Sequence, residues 1–380
     1  MERLIAAASA LGEQVAGAAE PSGPGLTWHA EIMVGTELAH GEVGTALYDG
    51  TAGIAVGLAA VPGLATTARG AALHALAGAD ELLETGRVGF FDGAAGIAWS
   101  AVTTGRALND AALVARGEAL AARITALPAE LDLISGAAGT LLGLLALGRT
   151  LPAAGHLIAA ARPQTWGAAW GDPPLLGLGH GAAGIALALA EYAHLTGDER
   201  AAACAAQRLE YERGLYDPDR IAWPDLREDQ VGWMAAWCHG AIGIGISRVR
   251  IAHLTRDPRA IAEASAALQA ARDLVVAAGT ALRDGATSDC TACHGLGGVV
   301  EFLLLAERGL GVPDHGRAAQ RVAQLMLEQR ERAGRWPCGL PDAGEIPGLM
   351  TGLSGIALTL LRAARATTIP TPLLPGPSGW

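Results

Sequence analysis

The stretch DGAAGIA at residues 92–98 is one of seven copies of a pattern that decides the fold. Each copy has a polar residue, a glycine, two further residues, a second glycine and then small or apolar residues. The first glycines are spaced by 43 to 59 residues and are Gly50, Gly93, Gly136, Gly181, Gly240, Gly295 and Gly352. Such a period indicates an array of supersecondary units that bury their apolar faces against one another.

The sequence around each glycine pair predicts two helices. In the fourth copy, the apolar run IALALAEYAHLTG at 185–197 is typical of a helix, and a second helical run at 198–215 begins with an aspartate. Each unit is therefore predicted to be helix–loop–helix. Small residues and glycine in the loop allow the first helix to approach its neighbours closely.

Seven helix pairs can form an open solenoid or a closed ring of inner helices surrounded by outer helices. A solenoid needs polar terminal repeats, whereas the first and last copies here are as apolar and regular as the others. We therefore predict an all-α fold, an α/α toroid (double α-barrel) of about seven helix-pair repeats. In that arrangement all seven loops lie at one end, and the residue before each first glycine faces a common cleft.

Composition and charge narrow the class of protein. The chain of 380 residues is predicted to form one domain, 1–380, with a repeat core at 30–365. An N-terminal helix within 1–20 and a Gly/Pro-rich connector at 20–30 are predicted before the core. A Pro-rich tail at 369–380 is predicted after it, either as a packing arm or as a disordered segment. The net charge of −11 argues against a nucleic-acid partner. No apolar run is long enough to span a membrane.

The cysteines and the N-terminus indicate a reducing compartment. Five cysteines, an odd number at uneven spacing, do not suit a disulfide framework. The first residues, MERLIAAASALGEQV, are typical of an amphipathic helix and not of a secretory signal. We expect a cytoplasmic protein with reduced thiols.

The residue before the first glycine is polar in every copy, and these residues are Asp49, Asp92, Ser135, His180, His239, His294 and Thr351. The Asp, Ser and Thr residues are interpreted as helix N-caps. Histidine is a poorer cap, so three histidines in consecutive copies need another explanation.

Two of the histidines follow a cysteine, in WCHG at 237–240 and in ACHG at 292–295. Adjacent loops of a toroid would bring Cys238 and Cys293 together. Two thiolates and one imidazole form a three-ligand zinc set that leaves a fourth position open. The sequence CTACHG at 290–295 also fits c-type haem attachment or a redox pair, but the absence of an export signal argues against haem.

The remaining cysteines have several interpretations. Cys290 is a fourth ligand, a thiol near the site or a buried bystander, and we favour the last two because a closed four-ligand site would be structural. Cys204 lies on an alanine-rich helix and is expected in the core. Cys338 either lines the cleft or packs in its loop.

The motifs WCHGAIGIG from residue 237, CHG from 293 and GLGHGAAG from 177 resemble the lanthionine synthetase C-like family, the cyclases of lanthipeptide biosynthesis. The resemblance covers all seven loops. It implies an α/α toroid in which Cys238, Cys293 and His294 hold one Zn²⁺ ion.

The resemblance also implies a reaction. A peptide cysteine adds to the β-carbon of dehydroalanine or dehydrobutyrine to form a (methyl)lanthionine thioether, and a general acid protonates the α-carbon. His180 is the first choice for this acid and His239 the second, while Asp132 could orient His180 or the incoming thiol. A hydrogen-bonded core histidine and a helix cap are the alternative interpretations of His180 and Asp132. Met234 departs from the arginine that some relatives have four residues before the first ligand cysteine.

Three functions remain open at this level. The first is the cyclase, with a dehydrated precursor peptide and, because the chain leaves little room for a fused one, a separate dehydratase as partners. The second is addition of a small thiol such as glutathione to dehydroamino acids. The third is a non-catalytic, zinc-stabilised toroid that binds a peptide. Four tryptophans form either an apolar wall for the peptide or part of the core, namely Trp223, Trp233, Trp237 and Trp336.

Overall fold

The seven glycine loops each open an inner helix of a ring. The structure is a computed structural model that describes residues 1–34, 37–151, 154–160, 174–227, 232–339 and 344–377. The inner helices are α2 (Thr51–Ala59), α5 (Ala94–Leu108), α7 (Ala137–Ala146), α9 (Ala182–Thr196), α11 (Ala241–Thr255), α13 (Leu296–Leu310) and α15 (Leu353–Ala363). Each packs against the next, and α15 packs against α2. The ring is closed, which confirms the predicted toroid and excludes the open solenoid.

Outer helices surround this ring. They are α3 (Ala65–Ala77), which continues into α4 (Ala79–Glu84), α6 (Ala111–Arg123), α8 (Ala154–Ala160), α10 (Glu199–Gly214), α12 (Pro258–Arg283) and α14 (Asp314–Ala333). Apart from α4, each packs against the inner helix that precedes it. Within the described ranges, no helix combines the length and apolar character needed to cross a bilayer.

The last inner helix receives its outer partner from the other end of the chain. Helix α1 (Glu2–Gly17) packs against α15. Its buried residues, Leu4, Ala8, Leu11 and Val15, recur at helical spacing along one face. The N-terminal helix therefore completes the outer ring.

The second glycine of each loop is required because the loop backbone crosses the first turn of the inner helix. A Cβ atom on Gly96 would lie 1.7 Å from the carbonyl oxygen of Phe90, and one on Gly139 would lie 1.9 Å from that of Leu133. At the other five positions the carbonyl oxygen six residues earlier lies 1.7 to 2.6 Å from such a Cβ. A side chain would push the loop off the helix, which explains why the pattern recurs.

One backbone hydrogen bond joins each pair of neighbouring loops, and together these bonds form a closed circuit. The N–H to O=C pairs, at 2.8 to 3.0 Å, are Tyr48 to Phe91, Phe91 to Ile134, Leu133 to Gly179, Gly179 to Cys238, Trp237 to Cys293, Cys293 to Met350 and Met350 to Tyr48. Because buried backbone groups need such partners, the circuit fixes the loops relative to one another.

The segment predicted to be a connector contains strands instead. β1 (Glu20–Ser22) pairs with β2 (Gly25–Thr27), and β3 (His29–Val34) pairs with β4 (Glu37–Glu42), both antiparallel. Gly23 has φ +52, so glycine suits the tight turn between β1 and β2. The segment that follows α1 therefore contains two hairpins, which the sequence analysis did not predict.

The C-terminal segment is a packing arm over the part that the structure describes. Ile369, Leu373 and Leu374 are buried. The indole Nε1 of Trp237, in the fifth loop, donates a hydrogen bond of 3.0 Å to the carbonyl oxygen of Leu373. The arm also lines a cavity with residues of α5 and α13, so it lies against these inner helices. Residues 378–380 of the predicted tail lie outside the described residues.

Candidate metal centre and cleft

Cys238, Cys293 and His294 meet at the loop end of the ring. Their possible ligand atoms, one from each residue, all lie within 4.8 Å of one another. The Sγ atom of Cys293 is 3.5 Å from Nε2 of His294. Zinc–sulfur bonds are about 2.3 Å and zinc–nitrogen bonds about 2.0 Å, so one ion can reach all three atoms. Among the described residues this is the one cluster of this kind, and its donor set suits zinc.

The two thiols compete for one proton. The pKa of Cys238 is lowered, first because Cys293 donates a hydrogen bond to its sulfur and also because of the hydrogen bond and charge of His294, against the effect of burial. The pKa of Cys293 is raised well above its usual value by burial and by the nearby charge of Cys238. Hydrogen bonding between the two sulfurs therefore favours one thiolate and one thiol, and a bound dication would relieve the repulsion that opposes a second thiolate.

Tyr48 is a member of the site that the sequence analysis missed. Its hydroxyl donates a hydrogen bond of 2.8 Å to Sγ of Cys293. Tyr48 precedes Gly50 by two residues, as Cys238 and Cys293 precede Gly240 and Gly295. Alignment of the copies at that position would have identified it.

The N-cap interpretation of the Asp, Ser and Thr residues before the glycines is wrong. In these loops the glycine itself is the N-cap, with an extended backbone and no side-chain cap. Thr351 Oγ1 instead donates a hydrogen bond of 2.6 Å to Asp49 Oδ1, joining the seventh loop to the first. Burial raises the pKa of Asp49 to about 6, although the Thr351 hydrogen bond opposes this.

His180 and Asp132 form a hydrogen-bonded pair beside the triad. Nδ1 of His180 is 2.7 Å from Oδ2 of Asp132. The other carboxylate oxygen accepts hydrogen bonds from the backbone N–H groups of Ser135 and Gly136, at 2.8 and 2.9 Å, so the carboxylate is held in place. Burial lowers the pKa of His180. The hydrogen bond and the charge of Asp132 raise it by more than burial lowers it, so the pKa is raised above its usual value.

His239 lies over His180. The two rings are 5.7 Å apart between centroids and inclined by 25°. The pKa of His239 is lowered by burial and by the charges of Arg227 and His180, against the charge of Cys238. His239 is therefore favoured as neutral and His180 as the protonated member of the pair.

A buried ion pair supports the loop that carries His180. The backbone N–H of Gly177 donates a hydrogen bond of 3.0 Å to Oε1 of Glu212. Oε2 of Glu212 is 2.7 Å from Nη2 of Arg248, and both side chains are fully buried. A Cβ atom on Gly177, which has φ +99, would lie 2.8 Å from the carbonyl oxygen of Cys238. The His180 and Cys238 loops are thus in close backbone contact.

A cavity of about 460 Å³ opens beside His294. Its other lining residues include Asp225, Arg227, Trp233 and Met234. Of the four tryptophans considered as an apolar wall, Trp233 alone lines this cavity among the described residues. The others are buried as part of the core, namely Trp223, Trp237 and Trp336.

The other cysteines lie outside the triad. Cys290 is fully buried, and its Sγ lies 3.8 Å from the carbonyl oxygen of Ser288, so the structure favours the bystander over the fourth ligand. Cys204 is a core residue as expected. Cys338 is half-buried, and burial raises its pKa to about 11. All five thiols are free.

A solved cyclase structure has the same architecture. The solved structure of a nisin cyclase matches with a TM-score of 0.62 at 18% identity, over 87% of this chain and 92% of that chain. A sugar epimerase from a ruminal bacterium matches with a TM-score of 0.43 at 13% identity, over 96% of this chain and 99% of that chain. A search of curated protein sequences finds no match. The profile described as "Lanthionine synthetase C-like protein" matches residues 41–374, and the chain therefore belongs to the lanthionine synthetase C-like family.

Proposed function

We propose that this protein is a zinc-dependent cyclase that adds peptide cysteine thiols to dehydroalanine or dehydrobutyrine and so forms (methyl)lanthionine rings. The observation that carries the proposal is the cluster of Cys238, Cys293 and His294, whose ligand atoms lie within 4.8 Å of one another at the edge of a cavity. The adjacent pair of His180 and Asp132 adds an oriented proton donor.

Three protein ligands distinguish a catalytic zinc site from a structural one, because the fourth position stays open. Zinc held by Cys238, Cys293 and His294 would lower the pKa of a substrate thiol, so that the thiol enters the reaction as a thiolate. Cys290, which the sequence offered as a fourth ligand, does not belong to this cluster.

His180 is the group that protonates the α-carbon in this proposal. Asp132 holds Nδ1, so Nε2 is the nitrogen left to exchange a proton with the substrate. The hydrogen bond and the charge of Asp132 raise the pKa of His180 against the effect of burial, which favours the protonated form that a general acid requires. His239 is favoured as neutral and is assigned to positioning the ring of His180.

The proposal assigns two partners. The substrate is a ribosomal precursor peptide in which serine or threonine has already lost water. A separate dehydratase must supply it, since the proposed reaction forms a thioether and eliminates no water.

The experiment uses a synthetic peptide with one cysteine and one dehydroalanine, incubated with zinc-loaded protein. Ring closure leaves the mass unchanged and removes the free thiol, so mass spectrometry after alkylation detects it. We expect Cys238→Ala and Cys293→Ala to lose bound zinc and all ring formation. Cys204→Ala removes a buried cysteine elsewhere in the chain and should keep both.

Two other outcomes would overturn the cyclase proposal. If the wild-type protein attaches glutathione to a dehydroalanine peptide but closes no ring, addition of a small thiol is the function. If zinc binds and the peptide is neither cyclised nor modified, the toroid is a non-catalytic binding protein.

A further inference from the structure

A second cavity, of about 330 Å³, lies between the β3–β4 hairpin and the loops that begin α2 and α15. β3 contributes four consecutive residues to its lining, 30–33, whereas β4 contributes none among the described residues. Side chains alternate between the two faces of a strand, so four consecutive residues border one cavity when it lies along the edge of the strand. The cavity therefore follows the edge of β3 that faces away from β4.

The register of the hairpin determines which backbone groups of β3 face this cavity. At the start of the ladder, the N–H of Val43 donates a hydrogen bond of 2.9 Å to the carbonyl oxygen of Trp28. An antiparallel ladder bonds alternate residues, so every second residue after Trp28 bonds to β4. The N–H and C=O groups of Glu31 and Met33 then face the open edge, where no other segment of the described chain gives them a backbone hydrogen bond.

The seventh loop forms another wall of this cavity, at 346–348. The carbonyl oxygens of these three residues accept hydrogen bonds of 2.8 to 3.4 Å from backbone N–H groups in the first turn of α15. Pro347 has no N–H to offer. The open backbone donors and acceptors at this cavity are therefore those of β3.

Tyr48 connects the cavity to the candidate metal centre. It lines the cavity, and its hydroxyl donates the 2.8 Å hydrogen bond to Sγ of Cys293. The bond from Val43 to Trp28 places the start of β3 beside the same loop. Met33, toward the other end of β3, is 50% exposed. A chain lying along β3 would run from solvent toward the candidate metal ligands.

We propose that β3 binds the substrate peptide as an added strand, through the segment next to the cysteine that reacts. This inference rests on the proposed cyclase function and states how the substrate is held. When a peptide adds to a strand edge, main-chain hydrogen bonds give the affinity. Such bonds do not depend on side-chain identity, so one edge can hold successive segments of a precursor whose rings differ in sequence.

The first test uses a fluorescent peptide that cannot react, because alanine replaces its dehydroalanine. Its Kd for the zinc-loaded wild-type protein is measured by fluorescence anisotropy, with the peptide N-methylated at one residue at a time. N-methylation removes a single N–H donor. We expect Kd to rise about three- to tenfold at every second residue of the bound segment. At the residues between them, whose N–H groups point away from β3, Kd should change by less than about twofold.

The second test compares Glu31→Pro with His40→Pro. Glu31→Pro removes an N–H from the open edge and places the proline ring there, so Kd should rise about tenfold. His40 is the cross-strand partner of Glu31, and its backbone groups face the outer edge of β4. Both variants lose the 3.2 Å contact between Nδ1 of His40 and Oε1 of Glu31, but His40→Pro should change Kd by less than about twofold. Zinc content should be unchanged in both.

Several outcomes would refute the peptide site. They are N-methyl effects without alternation, unaltered binding by Glu31→Pro, and an equal loss in a folded His40→Pro variant. A wild-type dimer that Glu31→Pro dissociates in sedimentation analysis would also refute it, because the edge would then pair with a second copy of the chain. If both proline variants lose the hairpin, the N-methyl scan decides alone.

Ring closure by the wild-type protein is measured separately on the reactive peptide. Ring closure together with any of the refuting outcomes would leave the proposed cyclase standing without this peptide site. Alternating N-methyl effects in a protein that closes no ring would overturn the cyclase proposal and keep the peptide site.

Discussion

Tyr48→Phe should weaken metal binding without disturbing the fold. The substitution removes the hydroxyl that donates a 2.8 Å hydrogen bond to Sγ of Cys293. It keeps the aromatic ring, which packs edge-on against Phe91 at 6.1 Å between centroids. The backbone of Tyr48 also keeps both of its bonds in the loop circuit.

The size of the effect follows from the charge on the acceptor. A hydrogen bond to a charged group contributes about 1.5–3 kcal/mol, whereas one between neutral groups contributes about 0.5–1.5 kcal/mol. Metal binding converts the Cys293 thiol to a thiolate, so the difference of about 1–1.5 kcal/mol favours the metal-bound state. Its loss corresponds to a roughly tenfold weaker zinc affinity, which agrees with outer-shell partners in general. Burial raises the pKa of Tyr48 well above its usual value, so the hydroxyl remains a donor at any working pH.

The assay is competition with a chromophoric chelator for zinc, supported by the thiolate-to-metal absorption of the cobalt-substituted protein. Tyr211→Phe is the matched control, because its hydroxyl donates to the carbonyl oxygen of Pro174, outside the seven loops. An unchanged zinc affinity in Tyr48→Phe would refute the argument. So would an equal loss of affinity in Tyr211→Phe.

Three further predictions concern the proton donor and the scaffold. Asp132→Asn removes the carboxylate that raises the pKa of His180, so the pKa of His180 should fall. The alkaline limb of the pH–rate profile of ring closure should then move to lower pH. An alkaline limb that stays in place would contradict the pairing of His180 with Asp132. Glu212→Ala leaves its buried arginine partner with one carboxylate fewer and takes an acceptor from the His180 loop, so denaturant unfolding should show a loss of about 3 kcal/mol. Gly139→Ala places a Cβ atom 1.9 Å from a carbonyl oxygen and should lower the free energy of unfolding by about 3 kcal/mol or more. Gly17→Ala is the control, because the space around its Cβ position is open, and it should change the free energy of unfolding by less than about 0.5 kcal/mol.

The sequence predicted the ring because the signal is local and repeated. Each Gly-x-x-Gly reports a loop that crosses its own helix, and seven equivalent loops without polar terminal caps indicate closure. The seventh outer helix could not be predicted in this way. Its residues lie at the opposite end of the chain, and the sequence of α1 contains no signal that it packs against α15. The short strands were missed because their segment is rich in turn residues and too short for a clear alternation.

The site was predictable only where it coincides with the repeat. Cys238, Cys293 and His294 occupy repeat positions, so the predicted adjacency of the loops was enough to predict that these residues lie close together. The caps were misassigned because the N-cap position of each of these helices is the glycine itself. The polar residue lies one position before the N-cap. The position of Arg227 in the cavity lining could not be predicted, because this residue lies outside the repeat, in the long connection between α10 and α11.

The backbone hydrogen bonds of the loop circuit hold the loops of the site, whereas the side chains of the loops supply the candidate metal ligands. Cys238 and Cys293 hold their neighbours through backbone groups: Cys238 accepts from Gly179, while Cys293 donates to Met350 and accepts from Trp237. An alanine at either position keeps these backbone bonds and removes only the sulfur. In small zinc-dependent domains the metal creates the fold, and loss of a ligand unfolds the chain. Here the closed ring of inner helices and its hydrogen bonds hold the loops independently of an ion, so the loss of function in a cysteine variant reports on ligation itself.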